Sequence, residues 1–263
     1  MRYPSYPSIL GLGLQVLFTG VMTRDRPRRS FRVDSLQAVG AVTPPIQVLR
    51  PEFIPSGGPC LLLTNHYYRP GFEAWWISMA ISAVVPVEVG WIVTAEHTYP
   101  GQKRGLVMRP LSRFYLACVA RAYGFFSMPA MPPDPRQSQA RAAAVRRVAQ
   151  HARLDAGALI GLSPEGMDNA RGGLARPPDG SGRFILHLAG LGLKLIPVGL
   201  YEEEGRLCVH FGPPFALITA PGLAKGELDR QVSDQVMQQI ARLLPVSLRG
   251  EWQQVLEAER GIA

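Results

Sequence analysis

Apolar and polar positions along this chain change period repeatedly. Continuous apolar runs of four to seven residues alternate with longer stretches whose apolar positions recur about once per helical turn. The first pattern marks strands buried on both faces, the second amphipathic helices. Runs at 46–50, 61–64, 90–95, 124–128, 158–162, 195–201 and 207–211 predict strands, and stretches at 72–84, 109–123, 137–154, 184–191 and 228–244 predict helices. In the second helix Leu111, Tyr115 and Val119 lie about one turn apart. Breakers separate the elements: Pro55-Ser56-Gly57-Gly58-Pro59, Pro70-Gly71 and a proline-rich loop over 128–135. Residues 163–182, rich in Gly, Pro and Arg, form a predicted loop long enough to be functional. Alternating strands and helices predict an α/β fold, a single domain with a mainly parallel central sheet flanked by helices. No internal repeat or low-complexity tract interrupts it.

The chain start breaks this alternation. Residues 9–22 are apolar and rich in Leu, Gly and Val, and Arg24, Arg26, Arg28, Arg29 and Arg32 follow. A helix of that length covers about 21 Å, short of the roughly 30 Å hydrocarbon core. No small-residue cleavage site follows it, which argues against a removed signal peptide. An apolar helix beside an arginine cluster suits a segment lying in the interface of an anionic membrane. The sequence thus divides into a membrane-associating segment over 1–35 and an α/β domain over 36–263. A helix packed on the core, with the arginines in a solvated turn, is the other reading.

Composition narrows the class. Of 263 residues 47% are hydrophobic and 18% charged, which is globular rather than disordered. The net charge of +8, carried almost entirely by arginine, favours anionic partners such as phospholipid headgroups or a phosphorylated substrate. Cys60, Cys118 and Cys208 are far apart and odd in number, so they suit a reducing cytoplasm rather than a disulfide framework.

The candidate chemistry sits at strand ends. The run ending at Thr64 delivers Asn65-His66, and the run ending at Leu162 delivers Ser163-Pro164-Glu165-Gly166. Open α/β sheets build their sites at the carboxyl ends of strands, so a histidine and a glutamate brought to one edge suggest an acid–base site. Next to a helix N-terminus the histidine is held neutral, the form a base requires. Other chemistries lack their signatures. Gly161-Leu162-Ser163-Pro164-Glu165 misses the nucleophile elbow, and no Walker lysine or dinucleotide-binding glycine triplet is present. His97, His151, His187 and His210 are scattered without metal-ligand spacing. The basic stretch around Arg146-Arg147 has no accompanying nucleic-acid motif or aromatic platform, so nucleic acid is not an expected partner.

Over roughly residues 46–252 the order of motifs resembles the glycerolphosphate and 1-acylglycerol-3-phosphate acyltransferases. Asn65-His66 matches the family's Asn-His motif, Pro164-Glu165-Gly166 its Pro-Glu-Gly motif, and Ile196-Pro197-Val198 its later apolar strand. The resemblance implies transfer of a fatty acyl group from acyl-CoA or acyl carrier protein to a lipid or glycerol-type hydroxyl. It places this at the inner face of the cytoplasmic membrane and needs no metal or bound cofactor. It makes His66 the base. Asn65 would hold the motif's turn within the acceptor site, Glu165 and Gly166 would place the acceptor, and Arg171, Arg176 and Arg183 would be available for its anionic group. Trp75, Trp76 and Met79 are candidates for an acyl groove or for core. Two departures stand out. The family's aspartate, five residues after the histidine, is Gly71, and its phosphate-binding arginine is absent from Gly124-Phe125-Phe126-Ser127-Met128. Three readings follow: Glu73 substitutes for the aspartate, His66 acts without a carboxylate, or the chain is a non-catalytic, lipid- or partner-binding descendant.

Overall fold

In the computed structural model, which describes residues 3–23, 29–97, 105–131, 133–167, 169 and 172–262, seven strands form one sheet. They are β1 (Gln47–Leu49), β2 (Cys60–Thr64), β3 (Gly90–Thr94), β4 (Phe126–Met128), β5 (Leu159–Leu162), β6 (Lys194–Glu203) and β7 (Arg206–Phe211). The order across the sheet is β1-β7-β6-β2-β5-β3-β4. Five of these strands, β6 to β4 in that order, are mutually parallel. β7 returns antiparallel to β6, and β1 follows β7 in parallel. The mainly parallel α/β architecture expected from the alternation is therefore present.

The helices are α1 (Leu10–Met22), α2 (Phe31–Gly40), α3 (Trp75–Val84), α4 (Gly105–Tyr123), α5 (Ser138–Leu154), α6 (Ser181–Gly190), α7 (Lys225–Ala241) and α8 (Trp252–Ile262). With the strand order β6-β2-β5-β3-β4, the right-handed rule for parallel crossovers assigns α3 and α4 to one face of the sheet and α5 and α6 to the other. α1 packs on α4 and α2 on α3; α6 packs on α7, and α7 on α8. The result is a three-layer sandwich. Its middle layer is dominated by β2, where every residue is buried and Leu61, Leu62 and Leu63 are wholly enclosed. Burying such a leucine stabilises by roughly 1.5–3 kcal/mol.

Two helices escape the sequence reading. α2 buries Asp34 and Ser35 beside Phe31, Ala38 and Val39, so polar residues on its inner face hide the apolar period. Asp34 is satisfied there by Arg29, at 2.7 and 2.8 Å, and by the Tyr123 hydroxyl at 2.7 Å. Residue 35, the expected segment boundary, lies inside this helix. α8 is held by Trp252 and Leu256, one turn apart and both buried.

α1 keeps one side for solvent. Leu10, Leu14, Phe18 and Val21 are exposed at helical spacing, and α4 exposes Val107, Met108, Leu111 and Phe114. Gly20 lets the two helices meet, since a Cβ there would come within 2.2 Å of the Cys118 carbonyl oxygen. Among the described residues no helix is long and apolar enough to cross a membrane. Of the arginines expected to flank α1, Arg29 is paired with Asp34 and Arg32 donates to the Val85 carbonyl at 2.8 Å. Arg24, Arg26 and Arg28 lie outside the described residues.

Candidate functional site

β2 and β5 are neighbours, yet their onward helices leave in opposite directions, α3 towards β3 and α6 towards β6. This arrangement opens a crevice at the carboxyl ends of the two strands, where α/β sheets bind ligands. His66 stands at the end of β2 and Glu165 just beyond β5, and they meet there. The Glu165 carboxylate accepts from the His66 backbone N–H at 2.6 Å and from the Ala175 N–H at 2.6 Å. Glu165 is only 2% exposed. Short charge-assisted bonds of this kind offset the cost of burying the carboxylate. Glu165 thus ties the histidine turn to Ala175 in the following loop. Gly166 follows with φ of +68°, the left-handed turn that bends the loop back.

Asn65 ends β2 by continuing its ladder with a side chain. The last backbone register pairs Thr64 with Val198. One step further the Asn65 amide donates to the Leu200 carbonyl at 2.8 Å, and its carbonyl oxygen accepts from the Leu200 N–H at 2.7 Å. The amide supplies both a donor and an acceptor in this geometry. Asn65 is buried with both polar atoms engaged, and it holds the turn.

The position of the missing aspartate is closed to an ordinary residue. Gly71 has φ of +79°, which strains any side chain. Glu73 does not replace it. The helix predicted from residue 72 begins at Trp75, leaving Glu73 exposed in the preceding turn. Its carboxylate has no hydrogen bond or ion pair among the described residues, and only its backbone carbonyl is used, by Trp76 N–H at 3.0 Å. Trp76 and Met79 belong to the core, 2% and 3% exposed, whereas Trp75 is 42% exposed.

Of the loop arginines, Arg171 lies outside the described residues. Arg176 is paired with Asp234 at 2.9 Å and Glu251 at 3.1 Å, clasping the loop to α7 and to the turn before α8. Arg183 lies 3.8 Å from Asp229, whose carboxylate caps α6 by accepting from Gly180 and Arg183 N–H at 2.6 and 2.8 Å. Both guanidinium groups have carboxylate partners within the protein.

A cluster not anticipated from the sequence adjoins the histidine turn. The Glu202 side chain, 2% exposed at the end of β6, accepts from the Tyr6 hydroxyl at 2.5 Å and the Tyr67 hydroxyl at 3.1 Å. It also takes a two-pronged bond from Arg69, through Nε and through Nη2 at 2.8 Å. Burial and the Glu202 charge hold both tyrosines well above the ordinary phenol range. The hydrogen bond to Glu202 raises the Arg69 pKa above its usual value. Arg69 also stacks on Tyr3, 4.1 Å from the ring centre. The run Tyr67-Tyr68-Arg69 directly after His66 was the available signal; Glu202, 133 residues away from Arg69, had none.

His66 itself is half-buried, with Nδ1 enclosed by protein. Asn65, His66, Tyr67, Tyr68, Gly173, Leu174 and Leu248 surround a cavity of about 10 Å³, close to the room one water needs. A larger cavity of about 390 Å³ lies between α5 and α6, lined by Arg146, Arg153, Leu154 and His187 among others, and touches none of the site residues. Among the described residues no group of three His, Cys, Asp or Glu side chains gathers as metal ligands. The three cysteines are free and buried.

No protein-family model matches the sequence, and no curated protein does. In three dimensions the chain is similar to the crystal structure of the 1-acyl-sn-glycerophosphate (LPA) acyltransferase PlsC from Thermotoga maritima. The TM-score is 0.46 and the identity 15%, over 89% of this chain and 90% of that one.

Proposed function

We propose that this protein transfers a fatty acyl group from a thioester, acyl-CoA or acyl carrier protein, to a glycerolipid-type hydroxyl. The observation that carries the reading is the meeting of His66 and Glu165, at 2.6 Å, across the crevice between β2 and β5. Nδ1 is enclosed by protein, so we assign the base to Nε2. It removes the hydroxyl proton as the oxygen attacks the thioester carbonyl. The tetrahedral intermediate then collapses, the C–S bond breaks, and the imidazolium returns the proton to the departing thiolate. The 10 Å³ cavity admits neither reactant, so Gly173, Leu174 and Leu248 must draw back from His66 to admit them.

The apolar faces of α1 and α4 favour action at the inner face of an anionic membrane, where a lipid acceptor resides. Leu14, Phe18, Leu111 and Phe114 would enter the interface, with exposed Arg109 and Arg113 at the headgroups. The acceptor's anionic group has no arginine on β4 to meet, since that strand reads Phe126-Ser127-Met128. Arg176 and Arg183 would have to leave their carboxylate partners to serve it.

Thioester release with a panel of acyl donors and hydroxyl acceptors tests the reading. A general base contributes ~10²–10⁴-fold, and His66→Ala should lose that much. Transfer by His66→Ala at the parent rate overturns the mechanism. The closed cavity and Gly71 favour a second reading, a non-catalytic lipid-binding descendant of the same fold. Absence of transfer by the parent with every donor, together with saturable lipid binding, would establish it.

A further inference from the structure

The turn carrying His66 is fixed on both sides to one strand. Before it, Asn65 is bonded to the backbone of Leu200 on β6. After it, Tyr67 and Arg69 converge on the Glu202 carboxylate, two residues further along β6. The intervening chain is closed by Phe72 N–H donating to the Arg69 carbonyl at 3.1 Å and by edge-on packing of Phe72 on Tyr67, with ring centres 4.9 Å apart. The third donor to Glu202 comes from the other end of the sequence. Tyr6, whose ring also packs on Phe72 and Trp76, donates at 2.5 Å. The chain start reaches this place because Ser5 forms a two-bond bridge with Thr43, at 2.7 and 3.0 Å.

Loops after buried strands rarely need a buried carboxylate to end well, and burying one is costly unless its oxygens are fully used. Here four donor atoms from three side chains use them. The arrangement stands beside Gly71, where a φ of +79° strains any side chain. We propose that Glu202 is the positioning residue of this site: it sets the direction of His66 by gathering Tyr67 and Arg69, and it makes Tyr6 and the segment before α1 a working part of the catalytic turn. Glu202 touches no reacting atom; it acts through the backbone on either side of His66. The inference rests on His66 being the base of an acyl transfer.

The test compares the full chain with Glu202→Gln and Tyr6→Phe by two readouts. The first is the rate at which diethyl pyrocarbonate modifies His66, located by mass spectrometry and referenced to His151 on α5. The second is kcat and KM for acyl transfer. Losing a hydrogen bond to a charged group alters an equilibrium by about tenfold or more. Glu202→Gln should therefore speed His66 modification and lower kcat by about that factor, with KM little changed. Tyr6→Phe, which loses one such bond, should move both the same way, by about tenfold. Modification and kcat both at parent values, in an active parent, would overturn the proposal and leave the acyl transfer standing. Faster modification in a parent that transfers nothing would uphold the positioning and overturn the acyl transfer. Unchanged modification in such a parent overturns both. If Glu202→Gln does not fold, Tyr67→Phe and Tyr6→Phe, each losing a single hydroxyl, carry the same outcomes.

Discussion

Asn65 offers a sharp quantitative test, because its side chain stands in for a rung of the sheet. Asn65→Ala removes the partners of the Leu200 N–H and carbonyl, and Leu200 is wholly buried. A buried backbone group left without a partner costs about 1–3 kcal/mol, so the pair should cost roughly 2–5 kcal/mol. Domain stabilities run to ~5–15 kcal/mol, so the variant should fold with a visibly lower urea midpoint. Asn65→Asp discriminates further. It keeps an acceptor for the Leu200 N–H but, when ionised, sets a second oxygen against the Leu200 carbonyl at the 2.8 Å now occupied by a donor. Protonated, the carboxyl group restores that donor. Its folded pKa is therefore raised above the unfolded value of about 3.9. A raised value means that stability is fully present below the unfolded pKa and is lost as pH rises through the folded one. A buried carboxyl commonly rises by ~2–3 pH units, which corresponds to about 3–4 kcal/mol. Urea unfolding followed by far-UV circular dichroism from pH 4.5 to 8 reads this directly. Asn65→Asp should approach the parent at the acid end and fall behind it towards pH 8, whereas the Asn65→Ala deficit should stay flat. A pH-independent deficit for Asn65→Asp, or an Asn65→Ala variant within about 0.5 kcal/mol of the parent, would refute the ladder role.

Three other outcomes follow. Glu73→Gln should transfer acyl groups within about twofold of the parent, as expected of a surface substitution, because among the described residues its carboxylate meets no partner; a loss matching His66→Ala would return it to the site. Phe18→Asp with Phe114→Asp should weaken co-sedimentation with anionic vesicles by tenfold or more, each ring being worth about 1–2 kcal/mol of half-exposed apolar surface; unchanged binding would remove the α1–α4 face from membrane contact. Thermal stability should decline as pH rises through the ordinary tyrosine value of about 10, since Tyr6 and Tyr67 hold their protons more tightly folded than unfolded. Tyr6→Phe should blunt that decline, and an identical slope in the variant would show that Tyr6 does not contribute.

What the sequence made legible were features whose cause is local. Leu61, Leu62 and Leu63 announce a strand enclosed on both faces, and the Asn-His and Pro-Glu-Gly runs at strand ends announce an edge where chemistry gathers. The helix reading placed Glu73 in a first turn, yet the chain turns at Gly71 with positive φ and enters the helix only at Trp75. Trp76 and Met79 gave no sign of whether they lined a groove or filled the core, because an apolar stripe looks the same in both. Asp34 concealed α2, since a buried acid reads as a surface one until Arg29 and Tyr123 are known to meet it. Glu202 was invisible for the same reason: its significance lies in Tyr6, Tyr67 and Arg69, and no local pattern joins residues so far apart.

The seam between α1 and α4 makes the protein its own stopwatch. Cys118 is fully enclosed, and its backbone carbonyl lies under Gly20, where only a hydrogen atom fits. Arg121 closes the seam from the side, donating to the Gly20 carbonyl at 3.0 Å and lying 3.2 Å from the Cys118 sulfur. If α1 is what covers that sulfur, a thiol reagent should reach it chiefly while α1 is lifted away. Cys60 in β2 and Cys208 in β7 report instead on the sheet, where opening approaches global unfolding. Burial pushes the Cys208 thiol up to about 11, slowing it further. Three labelling rates in one chain therefore separate the undocking of a surface helix from the fraying of the core. A bilayer that grips α1 would change the first rate alone.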